Sequence, residues 1–349
     1  MAAALTAALL GVRGANPLVG AVIIDAAGRP LGTGYHRGAG TAHAEAAAIA
    51  NLPALPSGSL ADATIVVTLE PCNHTGRTGP CSQAIIDAGI GRVIYALDDP
   101  HRPASGGADR LRGAGVEVRC GLLADRAAEL NRRWFSSTAA DRPFISLHIA
   151  QTLDGRIAAA DGSSQWITSA PSLADSHRLR GRVDAILAGT GTVLLDDPRL
   201  TARTPEGELC KHQPLRVVMG LRDIPDSAAV RSPLPGNPDF LHLRTRDPHR
   251  VVAELFSRGV QHLMIEGGAQ ISSAFLAAGL VDELNVYLAP TLLGAGLPAL
   301  ADIGIGTLAD AQHWCWDDAG GGAVVALGPD LKLHLAPAPA AATGNPGGI

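Results

Sequence analysis

His43-Ala44-Glu45 and, after an apolar run, Leu69-Glu70-Pro71-Cys72-Asn73-His74-Thr75-Gly76-Arg77-Thr78-Gly79-Pro80-Cys81 decide how the first part of this chain is read. One imidazole (His43) and two thiols (Cys72 and Cys81) supply three zinc ligands and leave a fourth position for water. That is the arrangement of a catalytic zinc site, whereas a structural site closes all four positions. Glu45, two residues after the histidine, reaches the water without binding the metal. Two thiolates and a neutral imidazole bring the site close to zero net charge, so the metal still acidifies water towards neutral pH. Glu45 then takes that proton and passes it to a leaving group, as a general acid/base does.

Around this stretch the chain has 349 residues, long enough for two domains of ordinary size. Hydrophobic residues make up 46% and aromatics only 3%, so Ala, Val, Leu and Ile have to fill the cores. A net charge of −5 and the absence of a dense Lys/Arg run speak against a nucleic-acid partner. Lys211 and Lys332 are the two lysines; the remaining positive charge is arginine. Five cysteines, two in this stretch and Cys120, Cys210 and Cys315 scattered, do not suit a disulfide framework and suggest a reducing, cytoplasmic setting. Residues 1–11 are apolar but lack a basic start, and read as a short helix with Leu5 and Leu9 on one face. No run of about 18 apolar residues occurs, so no membrane span is expected.

In order, residues 18–24 and 31–36 read as a β-hairpin turned by Asp25-Ala26-Ala27-Gly28. Thr41 is the expected N-cap of a helix through Ile49 that carries His43 and Glu45 in its first turns. A strand at 64–69, a helix from Cys81, a strand at 92–97, a helix at 108–113, a strand at 116–120 and a polar-faced helix at 122–138 follow. Both thiols therefore lie near a loop-to-helix junction whose amides favour thiolates. Asp141-Arg142-Pro143 marks a domain boundary, dividing the chain into 1–140 and 141–335. Strands near 144–150, 184–188, 215–219, 240–243, 262–265, 284–289, 323–327 and 331–335, with helices near 172–180, 248–257 and 270–278, make a second α/β domain with a largely parallel core. Residues 204–213 read as an exposed insertion. The Ala/Pro/Gly-rich tail, 336–349, is expected to be disordered.

The eight residues between Cys72 and Cys81 exceed the two usual in nucleotide deaminases. This loop resembles the signature of the riboflavin-pathway deaminases, as do Asn16-Pro17-Leu18-Val19-Gly20 and Gly34-Tyr35-His36. The family's usual prolines before the Asn-Pro and late in the loop are Ala15 and Gly79 here. The resemblance continues through Thr152-Leu153-Asp154-Gly155-Arg156, Ser164-Gln165-Trp166-Ile167-Thr168-Ser169, the run from Gly189 to Thr201, and Glu266-Gly267-Gly268, roughly residues 12–300. It implies a fused deaminase–reductase of two three-layer α/β domains, cytidine-deaminase-like and then dihydrofolate-reductase-like. In that family, zinc-dependent deamination of a phosphoribosylamino-pyrimidine precedes NADPH-dependent reduction of its ribosyl group to ribityl. Related enzymes pair through both domains, so a homo-oligomer is expected.

Carried over residue by residue, the resemblance implies that Asn16 and His74 contact the pyrimidine substrate. Ala150, Trp166, Thr192, Asp196 and the run from Gly268 line NADPH, and Ser164, Arg180, Leu200, Arg203 and Glu266 contact the second substrate. On the residues alone, Gly189-x-Gly191 does not complete G-x-G-x-x-G, so the dinucleotide fingerprint fails. Gly267-Gly268 between a strand and a helix suits a phosphate at a helix N-terminus, and two arginines offer forked donors for a phosphate. The family's lysine six residues before the Asp of Leu-Asp-Gly, implicated in reduction, is His148 here. Histidine donates a proton or hydrogen bond near neutrality but lacks a permanent charge.

Two other readings remain open. One is a deaminase of a different nucleotide or nucleoside with a non-reducing second domain, against which the long loop and the second domain count. The other is a non-enzymatic module with structural zinc, which requires a fourth protein ligand, and His74 is the near one.

Overall fold

The structure is a computed structural model. It describes all residues except 12–15, 39–40, 55, 57, 75–78, 101–104, 235–239, 319–321 and 339–349. The chain divides into two compact units, Met1–Asp141 and Arg142–Ile349.

The first unit contains α1 (Ala2–Ala8), β1 (Gly20–Ile24), β2 (Pro30–Tyr35), α2 (Ala44–Ala50), β3 (Thr64–Val67) and α3 (Cys81–Asp87). These are followed by β4 (Arg92–Tyr95), α4 (Gly107–Gly113), β5 (Glu117–Cys120), α5 (Ala124–Leu130) and α6 (Arg132–Ala140). The sheet order is β2-β1-β3-β4-β5. The hairpin and the β1/β3 pair are antiparallel, and β3/β4 and β4/β5 are parallel. Two glycines let helices lie directly on the hairpin. A Cβ on Gly34 would stand 2.2 Å from the Ala48 amide nitrogen of α2, and one on Gly20 would stand 2.0 Å from the Ala4 carbonyl oxygen of α1. These close approaches, on opposite faces of adjacent strands, build the three layers. Ala21, Ile23, Ala44, Ala48, Ile65, Val67, Ile85 and Val93 fill the core between sheet and helices.

Three expectations change here. Helix α1 stops at Ala8, so Leu5 packs with Ala96 and Ala127 while Leu9, beyond the last turn, is exposed. Thr41 does not cap α2, because its hydroxyl donates back to Gly38 O; His43 occupies the N-cap. The single helix over 122–138 is instead α5 and α6, broken at Asn131. That buried amide clamps Leu18, accepting from its N–H at 2.8 Å and donating to its C=O at 2.9 Å.

The second unit contains β6 (Phe144–Thr152), β7 (Arg156–Ala158), α7 (Ala170–Arg180), β8 (Ala185–Gly189), α8 (Thr190–Asp196), β9 (Leu215–Met219), β10 (Leu241–Leu243) and α9 (Pro248–Ser257). Then come β11 (His262–Ile265), α10 (Ala269–Ala277), β12 (Glu283–Ala289), β13 (Leu297–Pro298), β14 (Trp314–Trp316), β15 (Val324–Leu327) and β16 (Asp330–Pro337). The main sheet runs β10-β9-β8-β11-β6-β12-β16-β14, with β15 also on β16. It is parallel from β10 to β12 and antiparallel beyond. β13 and β7 pair separately.

Helix α8 was not expected: its Thr, Gly and Val residues are weak helix formers. Strand β16 continues through Ala336 and Pro337, two residues into the supposed tail, because β14 pairs with its end. Residues 339–349 lie outside the described residues. The exposed middle of the 204–213 segment is anchored by the buried Gln213 amide, which bonds Ala202 and Cys210.

The two faces of this sheet differ. One carries Ile145, Leu147, Ile149, Ala185, Leu187, Val217 and Met219 against α9 and α10. On the other, Ile186, Ala188, Val218 and Met264 form an apolar patch with Val193 of α8. Beside it, β6, β12 and β16 present Ser146, His148, Glu283, Asn285, Tyr287, Asp330, Lys332 and His334, which the pairing register puts on a common face. Helix α7 meets this row with its own buried polar residues. Ser169 and Ser172 bond Asp330, Asp175 bonds Tyr287 and Lys332, and Ser176 bonds His148. Buried polar groups are tolerable only when paired, and here they are.

Two stability measurements follow from these contacts. Asn131→Ala strands both polar groups of Leu18 and should cost about 2–4 kcal/mol in denaturant unfolding. Burial pushes the Asp175 carboxyl up, but hydrogen bonds from Tyr287, Lys332 and Arg178 outweigh it and hold the group at about 2. The stabilisation from Asp175 is therefore complete above its ordinary value of 3.8 and is lost as pH falls through about 2. Acid-unfolding curves should show that loss in the parent protein and not in Asp175→Asn.

Candidate functional site

His43, Cys72 and Cys81 reach one point from three elements. His43 is the N-cap of α2, Cys72 follows β3 in the Leu69-Glu70-Pro71 run, and Cys81 is the first residue of α3. The carboxylate of Glu70 accepts from the Gly106 and Ala108 amides at 3.1 and 3.0 Å, tying the start of α4 behind the Cys72 loop. His43 Nδ1 lies 3.5 Å from Cys72 Sγ and 3.4 Å from Cys81 Sγ. The Cys81 amide donates to Cys72 Sγ at 3.4 Å.

A tetrahedral zinc, about 2.0 Å from nitrogen and about 2.3 Å from sulfur, requires N···S edges of roughly 3.5 Å. The donor set fits. Among the described residues these three form the metal-binding cluster, and His74 is not part of it. The His74 ring centre is 6.4 Å from that of His43, and its buried Nδ1 has no hydrogen-bond partner among the described residues. A zinc site closed by four protein ligands therefore has no support among the described residues.

The hydrogen bond from the Cys81 thiol pulls Cys72 down to about 4, and the same contact pushes Cys81 up. The pair thus shares one proton readily, and as metal ligands both sulfurs would be thiolates. The hydrogen bond to Cys72 raises His43. Glu45, in the first turn of α2, is buried, and burial pushes its carboxyl up to about 7. A carboxyl at that value both accepts and releases a proton near neutrality.

Asn16 lies beside this cluster, with Nδ2 2.9 Å from His36 Nε2. His36 packs edge-on to His43, with ring centres 5.4 Å apart. Its Nδ1 is 3.1 Å from the Ala42 carbonyl, so Nδ1 carries the proton and Nε2 accepts from Asn16. The amide is thereby held through its Nδ2, which leaves Oδ1 as its acceptor atom. His36 was missed as a site residue; its signal was the Gly34-Tyr35-His36 motif. The loop residues 75–78 and Ala15 lie outside the described residues.

In the second unit, the expected residues fall into one connected group and several separate positions. Arg180 and Glu266 form a two-pronged ion pair, Nε–Oε1 2.7 Å and Nη2–Oε2 2.5 Å, and Arg180 also donates to Thr201 O. The fork expected to hold a phosphate thus already holds a carboxylate. His148 neighbours this pair and bonds Ser176 through Nε2 at 2.7 Å. Burial lowers its pKa, and the positive charges of Arg180 and Lys332 act in the same direction.

Thr192 in α8 faces Gly268 at the N-cap of α10, where a Cβ on Gly268 would lie 3.6 Å from the Thr192 hydroxyl oxygen. Ser164 donates to Asp196 at 3.2 Å. Trp166 is 70% exposed and Ala150 half-buried, so both leave surface for a ligand. Arg203 is held by Thr201 Oγ1 and Gly207 O. The Leu200 side chain is buried in the apolar patch with Ile186 and Met264, at φ +50°, which leaves only its backbone as a candidate contact. Thr192 in α8 and Gly268 at the start of α10 are brought side by side, whereas Asp196 stands at the other end of α8.

Residues 1–97 match the cytidine and deoxycytidylate deaminase zinc-binding region, and residues 143–318 match the RibD C-terminal domain. A riboflavin biosynthesis protein RibD from Mycobacterium tuberculosis is 44% identical over 92% of this chain and 91% of its own length. The Escherichia coli RibD is 36% identical over 92% and 93%. The solved structure of Acinetobacter baumannii RibD superposes with a TM-score of 0.85 at 32% identity, covering 97% of this chain and 98% of that one. A diaminohydroxyphosphoribosylaminopyrimidine deaminase/5-amino-6-(5-phosphoribosylamino)uracil reductase from Thermotoga maritima gives 0.79 at 29% identity, covering 97% of each. A three-ligand zinc cluster beside a buried glutamate, followed by a reductase-type sheet, agrees with these matches, and the chain belongs to the RibD family of bifunctional riboflavin-biosynthesis deaminase–reductases.

Proposed function

We propose that residues 1–140 carry out the zinc-dependent deamination and residues 141–335 the NADPH-dependent reduction of this riboflavin-biosynthesis enzyme. The substrate is 2,5-diamino-6-(5-phosphoribosylamino)pyrimidin-4(3H)-one, and the product is 5-amino-6-(5-phosphoribitylamino)uracil. The observation that carries the reading is the His43–Cys72–Cys81 cluster at tetrahedral-edge spacing with buried Glu45 beside it.

His43, Cys72 and Cys81 hold zinc, which when bound supplies Lewis acidity to a water molecule. Glu45 takes the proton of the attacking water and delivers it to the amine that leaves as ammonia. The Asn16 amide oxygen accepts from the pyrimidine, and His74, with its unpartnered Nδ1, is a second ring contact.

NADPH, held in the reductase unit by the residues named below, would supply a hydride for the sugar carbon that bears the amine. As that carbon's bond to the ring oxygen opens, the oxygen takes a proton, and His148 with Ser176 is the donor pair that this chain offers. Ala150, Trp166, Thr192, Asp196 and Gly268 line the cofactor. Ser164, Arg180, Arg203, Glu266 and the Leu200 backbone meet the substrate. No helix among the described residues is long and apolar enough to cross a membrane. A cytoplasmic homo-oligomer acting on a small molecule is the accompanying reading.

Purified protein incubated with the diaminopyrimidine, with and without NADPH, separates the two activities by ammonia release and NADPH absorbance. Glu45→Gln should keep its zinc while ammonia release falls on the order of 10²–10⁴-fold. Zinc loss together with activity would sink the acid/base role. His148→Ala should abolish NADPH oxidation and leave ammonia release intact. Turnover of cytidine or its nucleotides in place of the diaminopyrimidine would overturn the substrate assignment.

A further inference from the structure

Lys332 is one of two lysines in the chain, and its side chain is 12% exposed. Lysine is almost never buried without a specific partner. Its ammonium sits 2.9 Å from Asp175 Oδ2 and 5.6 Å from the centre of the Tyr287 ring. The fully buried Tyr287 donates its hydroxyl to the same Asp175 oxygen at 2.6 Å. The opposite oxygen of Asp175 is held by Arg178.

His148 occupies the next space on this face. Its ring stacks on Tyr287 with centres 4.8 Å apart, and its Nε2 meets Ser176, the chain neighbour of Asp175. Both supports of the imidazole, the tyrosine ring and the α7 backbone at 175–176, are therefore fastened by the Lys332–Asp175 contact.

We propose that Lys332 is a positioning residue for reduction: acting through Asp175 and Tyr287, it holds the His148 imidazole in place. This rests on the reading of the second unit as the reductase. The charged and titratable groups facing His148 are Glu266 after β11, Asp175 and Arg180 on α7, Tyr287 on β12 and Lys332 on β16. Two are anions and two cations, with tyrosine neutral and Arg178 on the far oxygen of Asp175, so removing Lys332 takes one positive charge from the ring's surroundings. With Nε2 on the Ser176 hydroxyl, the imidazole delivers a proton to the opening sugar oxygen only after taking one from solvent. Both its position and its proton uptake therefore bear on reduction.

The test compares the full-length zinc-loaded protein with Lys332→Met, Lys332→Arg and Asp175→Asn. Nuclear magnetic resonance of the His148 ring nitrogens gives the pH at which the ring takes a proton. Lys332→Met should move that titration to higher pH, Asp175→Asn should move it to lower pH, and Lys332→Arg should leave it near the parent position. A merely structural loosening does not produce shifts of opposite sign.

In NADPH oxidation Lys332→Met should lose about tenfold in kcat, a fraction of a full acid/base contribution. Its KM for NADPH should change less than twofold, and its ammonia release should match the parent. If Lys332→Met fails to fold, the Arg and Asn variants still decide the sign. An unchanged His148 titration in Lys332→Met, or same-direction shifts in Lys332→Met and Asp175→Asn, overturns the proposal. Absence of NADPH oxidation in the parent protein would overturn the reductase reading, while the ring titration still reports on the positioning.

Discussion

The deaminase unit depends on how closely α2 lies on the β1–β2 hairpin. Gly34 removes the side chain that would strike the helix backbone, and the alanines at 44 and 48 keep the helix surface thin. That contact brings the start of α2, with His43 as its cap and Glu45 in its first turn, against the loop after β3. The two sulfurs and one nitrogen then stand at distances that a tetrahedral ion would bridge. Were the helix an ångström further from the sheet, the imidazole would leave the thiols and Glu45 would gain water. Its carboxyl would then return towards the ordinary range.

The reductase unit solves a different problem. Half of one sheet face is apolar and packs in the usual way, while the rest is a polar row covered by a helix with a matching polar side. Such a cover gains little from the hydrophobic effect and much from direction, since each bond fixes both a distance and an angle. Helix α7 is therefore located along the strands by Asp330 at its start and by Lys332 and His148 further on. Arg180, in its last turn, is thereby delivered to Glu266.

The sequence made much of this legible. Hydrophobic runs with flanking turn residues located β9, β11 and α9 to the residue, because periodicity and caps are local signals. The clustering of His43, Cys72 and Cys81 was legible because Cys and His at such spacing have few other uses. Helix α8 was not, because its residues favour no particular state and its shape follows from the turn at Gly189. Nor was the break at Asn131, whose cause is a partner more than a hundred residues earlier in the chain. The same distance problem hid the Arg180–Glu266 pair. Each residue was marked as a ligand contact, but nothing local says that they bind each other. For Leu200, a motif position does not reveal whether the side chain or the backbone faces a ligand, and here the side chain is buried.

The polar row beneath α7 also bears on how this enzyme can change. In an apolar core a lost methylene leaves a gap that neighbours partly fill, so substitutions are accepted singly and by degrees. A row of mutually satisfied donors and acceptors has no such latitude, because an exchange at one place leaves its neighbour's charge or hydrogen unclaimed. Changes along Ser146, His148, Glu283, Tyr287, Lys332 and the facing residues of α7 would then be inherited in matched sets. A histidine at 148 is best understood as one member of such a set, with its meaning given by the lysine two strands away.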